Sequence, residues 1–337
     1  GLNLTHAEPL PALLARYGTA AIVQRAVREF PPDALRAWCA GLGETTYVGS
    51  SGRVFPTSFR ATPLLRAWLA RLDDLGVHLH VRHRWLGWTG AASDPDPHRH
   101  LMAPDGGSPQ EVAADVTVFA LGGASWPRVG SDGAWVAPFR SAGCDVRTMR
   151  PANCALHLDW SVHFAERFAG VPLKNAELRV GAQRGRGDAM VTAGGLESGP
   201  VYGLVPAIRA ELDAHGSCPL MVDLQPDLEL AEVARRWRSR RPKDTRATAL
   251  RRTIGLSPVA IALLREATGN ELPLDAATLA ALVKAVPLTV RSLAGIERAI
   301  STAGGLALDE LDDRWTLRRL PGTFVAGEML DWEAPTG

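Results

Sequence analysis

In two places an apolar run ends abruptly in glycine: Val116–Leu121 before Gly122-Gly123, and Thr323–Ala326 before Gly327-Glu328. A short apolar run with that ending is the pattern of a buried parallel strand. Glycine at its carboxyl end lets a ligand approach the backbone with no Cβ in the way. Open α/β sheets bind their ligands at that edge. Glu328, directly after its strand, is placed to accept hydrogen bonds from sugar or ribityl hydroxyls. A helix begun after Thr336-Gly337 would offer its N-terminus to a pyrophosphate. The chemistry that fits both stretches is a flavin site; the other reading is two ordinary βα turns.

Other residues could do chemistry, and each has a plainer explanation. A GxGxxG dinucleotide fingerprint is absent, and Gly194-Gly195-Leu196-Glu197-Ser198-Gly199 lacks its spacing and context, so it reads as a turn. His78 and His80 alternate as on a strand, while His83, His98 and His100 sit in or near loops. No carboxylate or cysteine cluster supports them as metal ligands, so no metal is expected. There is no GxSxG elbow and no cysteine with a nearby histidine signature, which disfavours a hydrolase. The run Arg235-Arg236-Trp237-Arg238-Ser239-Arg240-Arg241-Pro242-Lys243 could stack and neutralise single-stranded nucleic acid. Nothing elsewhere extends that patch, and the preferred reading is the solvated face of a helix with Trp237 turned to the core.

The elements that must position these residues begin with helices over Leu10–Tyr17 and Thr19–Glu29, and a third opened by Pro31-Pro32 and running through Cys39. Gly41–Arg53 reads as a glycine- and serine-rich loop. Pro63 opens a helix over Leu64–Leu75, stopped by Gly76. Val77–Val81 alternates like a strand that Trp85–Trp88 could continue, and Ser93–Gly107 reads as a loop or hairpin tip. From Arg150 the texture changes, with strand candidates Ala155–Leu158, Ala176–Val180 and Ala189–Thr192 between glycine-rich turns. Residues 228–300 read as mostly helical. An α/β domain interrupted by an insertion explains this order most simply.

Composition limits the possibilities. The 337 residues carry 37 Lys+Arg against 36 Asp+Glu, so net charge gives no bulk attraction to nucleic acid or membrane. A hydrophobic fraction of 46% argues against global disorder. No apolar run approaches the roughly 20 residues of a membrane-spanning helix. Cys39, Cys144, Cys154 and Cys218 form no CxxC pair, which fits a reducing cytoplasm rather than a disulfide scaffold. The opening GLNLTHAEP and the ending EAPTG fit a chain cut at both ends and equally a natural chain with frayed ends.

Four motifs occur in order: Gly1-Leu2-Asn3-Leu4-Thr5-His6, Gly52-Arg53-Val54-Phe55-Pro56, Leu121-Gly122-Gly123-Ala124-Ser125-Trp126-Pro127 and Ala326-Gly327-Glu328-Met329-Leu330-Asp331. Together they resemble the BaiN/RdsA-type NAD(P)/FAD-dependent oxidoreductases, the aminoacetone-oxidase-like bacterial flavoproteins, over essentially the whole chain. The resemblance implies an α/β fold: a two-dinucleotide-binding-type FAD domain over 1–149 and 301–337, interrupted by a β-rich subdomain at 150–215 and a helical one at 216–300. It also implies a GxGxxG strand-loop before Gly1 and a glycine-led helix after Gly337. By the same resemblance, FAD would contact Gly1, Leu2, Asn3, Leu4, Thr5, Gly122, Gly123, Gly327, Glu328, Asp331, Thr336 and Gly337. The implied function is reduction of the flavin by NAD(P)H and then of a small organic substrate. Arg53 could offset charge on a reduced flavin or an anionic substrate, or simply brace its loop. The rival classes are a flavin oxidase and a non-catalytic nucleic-acid-associated protein using 235–243.

Overall fold

The two glycine-ended runs lie side by side. Thr117–Phe119 and Thr323–Val325 form a parallel pair, with Thr323 opposite Thr117 and Val325 opposite Phe119. The computed structural model describes residues 2–18, 20–50 and 52–333. Only one face of the first strand is covered among these residues. Phe119 is buried while Val118 points outward at 63% exposure, so the run is not buried on both faces as its composition predicts.

The chain opens with strand β1 (Thr5–His6) and helices α1 (Leu10–Ala15), α2 (Ala21–Glu29) and α3 (Pro32–Gly41). Proline at the start of α1 and α3 sacrifices an N–H that has no helical partner there. Strands β2 (Thr46–Val48) and β3 (Arg53–Pro56) follow, and β3 pairs with both β1 and β2. The expected loop at 41–53 thus contains a strand. Helix α4 (Ala61–Asp74) presents Trp68 edge-on to Trp38 of α3, with ring centroids 5.4 Å apart.

Val77–Val81 is not a strand. It has the alternation but no sheet neighbour, and Val77, Leu79 and Val81 are exposed. The ladder starts later, in β4 (His83–Ala91), β5 (Asp94–Pro104) and β6 (Gln110–Ala113), with β5 in the centre. The segment expected as a loop is therefore mostly strand. Pro95 and Pro97 sit at the hairpin end, where the register shifts, and do not interrupt the ladder beyond it. Then come β7 (Thr117–Phe119), α5 (Val136–Ser141) and β8 (Val146–Ala152).

The inserted part is built around one closed barrel. Its elements are β9 (Leu156–Leu158), α6 (Val162–Phe168), β10 (Pro172–Val180), β11 (Gln183–Thr192), β12 (Gly195–Glu197), α7 (Gly199–Tyr202), α8 (Val205–His215) and β13 (Cys218–Asp223). Helices α9 (Leu230–Arg238), α10 (Arg246–Ala249), α11 (Pro258–Ala267) and α12 (Ala276–Lys284) precede β14 (Val286–Leu293). The strand order is β10-β11-β12-β9-β14-β13, and β13 returns to β10. Alternate residues such as Leu178, Val191, Leu220, Val222 and Val290 fill the interior at 0–1% exposure.

The inserted part does not separate into a β half and a helical half by secondary structure. Strands β13 and β14 lie inside the supposed helical segment, and one core joins barrel and helices from Cys154 to Ala299. Both strands are short apolar runs flanking helical sequence, where periodicity alone does not separate strand from helix. The chain then leaves through β15 (Ser301–Leu306), antiparallel to β8, and ends in β16 (Thr323–Val325) beside β7. A second core, including Phe119, Trp135, Phe139, Leu306, Val325 and Met329, lies under that parallel pair.

Candidate functional site

The two strand ends are tied at their carboxyl edges, where Ala326 N–H donates to Phe119 O at 2.9 Å. From there the Gly122-Gly123 turn is held on every side. The Trp135 indole N–H donates to Gly122 O (2.9 Å), and Gly133 N–H donates to Gly123 O (3.1 Å). Gly122 has φ +75°, a left-handed conformation natural to glycine.

Glu328 is the centre of this arrangement. Its Oε2 accepts the Gly123 N–H at 3.3 Å and its Oε1 accepts the Thr302 N–H at 2.7 Å. The Thr302 hydroxyl accepts the Ala124 N–H at 2.9 Å. One carboxylate and one hydroxyl thus join β15, the glycine turn after β7 and the turn after β16. Each Glu328 oxygen uses one acceptor position on the backbone and retains another.

Gly327, also left-handed at φ +75°, has nothing within 4 Å of where a Cβ would stand. Beside it lies a cavity of about 480 Å³ lined by Tyr17, Val23, Phe30, Trp315, Leu330 and Trp332. Tyr17 and Trp332 meet with ring centroids 5.4 Å apart, and burial, aided by the Glu8 carboxylate, raises the Tyr17 phenol. Tyr17 also borders a smaller cleft, about 230 Å³, lined by Asn3, Leu4 and Thr5. The segment after Gly1 and the turn at Gly327 therefore converge on Tyr17. Asp331 closes the group: its N–H donates to Leu306 O (2.8 Å), and burial raises its carboxyl above the ordinary range.

The residues present fit a polar, hydroxyl-bearing cofactor. The buried atoms Asn3 Oδ1, Ser125 Oγ and Ser131 Oγ have no hydrogen-bond partner among the described residues. Ser125 and Ser131 belong to the loop that follows the glycine pair, and the Ser131 hydroxyl stands 2.8 Å from where a Gly122 Cβ would be. Buried polar atoms of this kind are normally satisfied by protein, water or ligand.

The fold brings the sequence candidates Gly122, Gly123, Gly327, Glu328 and Asp331 into one neighbourhood, with Asn3, Leu4 and Thr5 reaching it through Tyr17 and Leu2 just before them. Gly1, Thr336 and Gly337 lie outside the described residues. Arg53 pairs with His6 of β1, beside Thr5, and its guanidinium is 4.0 Å from where a Gly199 Cβ would be, at the start of α7. Thr302, Trp135 and Tyr17 are not among the sequence candidates. The Ser301-Thr302-Ala303-Gly304-Gly305 run carries a usable signal for Thr302, whereas Tyr17 and Trp135 have none.

The other candidates take structural places. His100 is buried, its Nδ1 facing the Trp85 indole N–H (3.3 Å) and its Nε2 the Thr117 hydroxyl (2.7 Å). Burial lowers its pKa, so it is a neutral core residue. In the arginine run, Trp237 is 1% exposed, and Arg240 stacks on its ring at 4.5 Å. Arg235 and Arg236 grip Glu232 at 2.7 and 2.6 Å. Among the described residues no helix is long and apolar enough to cross a membrane.

A parallel strand pair delivering glycine turns to one edge, with a carboxylate beside them, is the kind of edge at which open α/β sheets bind their ligands. The chain belongs to the family described as HI0933-like protein Rossmann domain, whose model matches residues 1–337. It is 26% identical over 335 residues to the 3-dehydro-bile acid delta(4,6)-reductase of Clostridium scindens, covering 92% of this chain and 78% of that protein. Family and relative together place it among the flavin-dependent oxidoreductases.

Proposed function

We propose that the chain binds FAD at the glycine turns and uses NAD(P)H to reduce a small organic substrate through it. The arrangement that carries this reading is the Glu328 carboxylate pinning Gly123 and Thr302 while keeping acceptor capacity on both oxygens. When bound, the flavin supplies the hydride and electron chemistry. The protein's part is to bind and orient it. Gly122 and Gly123 allow close backbone approach, Glu328 and Asp331 accept hydroxyl hydrogen bonds, and Asn3 with the Leu4–Thr5 backbone flanks the opposite side. Gly1, Thr336 and Gly337 complete the proposed contact set. Arg53 is the proposed cation for an anionic substrate approaching from the inserted part.

The division of labour follows the two cores: 1–149 and 301–337 hold the cofactor, and the intervening barrel with its helices forms a substrate-side unit. A reductase needs an electron source, and the relative's printed activity is a reduction, which supports nicotinamide as donor. The apolar walls of the cavity beside Gly327 suit a largely apolar substrate. Four buried unpaired thiols support a reducing, cytoplasmic setting.

The test is a titration with FAD of the protein extended at both ends of this sequence, followed by anaerobic addition of NADH or NADPH. Saturable quenching of flavin fluorescence, and bleaching of the flavin band by one nicotinamide, are expected. No saturable FAD binding would overturn the reading. Rapid reoxidation by air with stoichiometric peroxide would make the enzyme an oxidase.

A further inference from the structure

A cavity of about 790 Å³ opens in the inserted part, between α6, α11 and the irregular turn Leu250–Ile254 that follows α10. Its floor is apolar: Phe164, Phe168 and Ile261 are all buried. Its rim is cationic, with Arg167, Arg251 and Arg265 against a single carboxylate, Glu266. That carboxylate is already engaged, because Glu266 accepts both the N–H and the hydroxyl of Ser161. The three guanidinium groups have no carboxylate partner among the described residues. Arg167 instead lies 5.6 Å from the Phe168 ring centroid, over one of the aromatic floor residues.

The backbone is unusual at the same place. Leu250–Ile254 is a π-turn, with Leu250 and Ile254 buried and Arg251 left at the cavity. Such turns are uncommon and concentrate at functional sites. A second cavity of about 670 Å³ shares Arg167, Phe168 and Pro258 with the first and carries Lys174 on its wall. The two form one groove with cations along its length. Arg167, Arg251 and Arg265 are exposed beside this floor, so their charges stand open to an anion.

We propose that this groove binds a nucleotide-type organic phosphate. Its ring system would cover the apolar floor beside the guanidinium plane of Arg167, and its phosphates would be held by Arg251 and Arg265 with Arg167. The planar guanidinium fork matches phosphate oxygens two at a time, and its flat face packs against a ring system. The groove shares no residue with the glycine turns around Gly123 and Gly327. The inference is therefore independent of where the flavin sits.

Calorimetric titration of the purified protein with ADP, NADP+ and inorganic phosphate tests it. ADP or NADP+ should bind and weaken as salt is raised, while inorganic phosphate alone binds far more weakly because it cannot use the floor. NADP+ tighter than ADP would identify the dinucleotide as the source, and equal affinities an adenine nucleotide. Arg251→Gln or Arg265→Gln should each weaken binding about tenfold, the loss expected for one charge-assisted hydrogen bond. Arg251→Lys should recover only part of that loss, and Arg238→Gln on α9 should change nothing. Thermal melts of Arg167→Gln/Arg251→Gln/Arg265→Gln would establish that the triple variant is folded. Nucleotide binding retained in that folded variant would overturn the proposal. So would no binding of either nucleotide up to about 1 mM, or inorganic phosphate binding as tightly as ADP.

Discussion

Thr302 occupies the space that a side chain on Gly123 would need. A Cβ there would overlap the Thr302 hydroxyl and lie 2.6 Å from its Cβ. The hydroxyl cannot simply turn away, because it accepts the Ala124 N–H. Gly123→Ala should therefore destabilise the protein by about 1–3 kcal/mol, the usual effect of overpacking, and weaken FAD binding. Adding Thr302→Ala should recover part of the stability but not the Ala124 hydrogen bond. A double-mutant cycle by urea denaturation measures the coupling; strict additivity would separate the two residues.

Removing the Glu328 carboxylate acts on the same knot from the other side. Glu328→Ala strands the Gly123 and Thr302 N–H groups, each formerly in a charge-assisted bond worth about 1.5–3 kcal/mol. FAD affinity should fall by roughly tenfold or more, with a lower melting temperature. Glu328→Gln keeps one acceptor oxygen and should fall between the two. Fluorescence titration with FAD gives the ranking, and an unchanged constant in the alanine variant would remove Glu328 from the site.

Much of this neighbourhood is legible in the amino-acid sequence. Strand-glycine endings at 121–123 and 326–328 are local signals for two parallel strands, while the pairing of β7 with β16 is seen only in the fold. What brings Thr302 to Gly123 is not local. It depends on β15 pairing with β8 across the whole insertion, a contact that no period or spacing encodes. The barrel is hidden for a related reason: β13 and β14 are six- and eight-residue apolar runs among helices, and only ring closure distinguishes them from helical segments. Prolines at 95 and 97 make β5 look like a loop, because their harmlessness depends on falling at the hairpin tip.

Asp331 should show stability and binding pulling apart. Burial raises its carboxyl in the folded protein, so ionisation opposes folding, and that cost builds as pH rises past the ordinary carboxylate value and is complete above the folded one. Asp331→Asn should accordingly be as stable as the parent or more so at pH 7, with no gain in strong acid. On the proposed role it should still bind FAD more weakly. Melting curves at the two pH values, alongside FAD titration, test both halves.

Glu232 gives the opposite pH dependence. Hydrogen bonds from Arg235 and Arg236 hold its carboxyl at about 2, below the ordinary 4.5. Its contribution is complete above the ordinary value and is lost as pH falls toward 2. Glu232→Gln should lose less stability than the parent between those limits, measured as the urea midpoint at each pH. Trp237→Ala, by contrast, should cost about 3–5 kcal/mol at every pH, because it empties a buried site.

The thiols should be inert in the native protein. All four are buried, and burial pushes Cys144, Cys154 and Cys218 up to about 11. At pH 8 an Ellman assay should find almost no reaction, and four equivalents after guanidinium is added. A fast-reacting thiol in the folded state would contradict this packing.

Ala152 and Ser301 face each other across β8 and β15, so the chain departs for the barrel and comes back at the same doorway. The flanks already stand at cross-strand spacing, about 5 Å, so a two-residue hairpin turn could replace residues 153–300 without moving either end. The barrel is in that sense a cassette carried on a two-stranded stalk. Thr302 stands one residue beyond the doorway, and its hydroxyl holds the amide that follows the glycine pair.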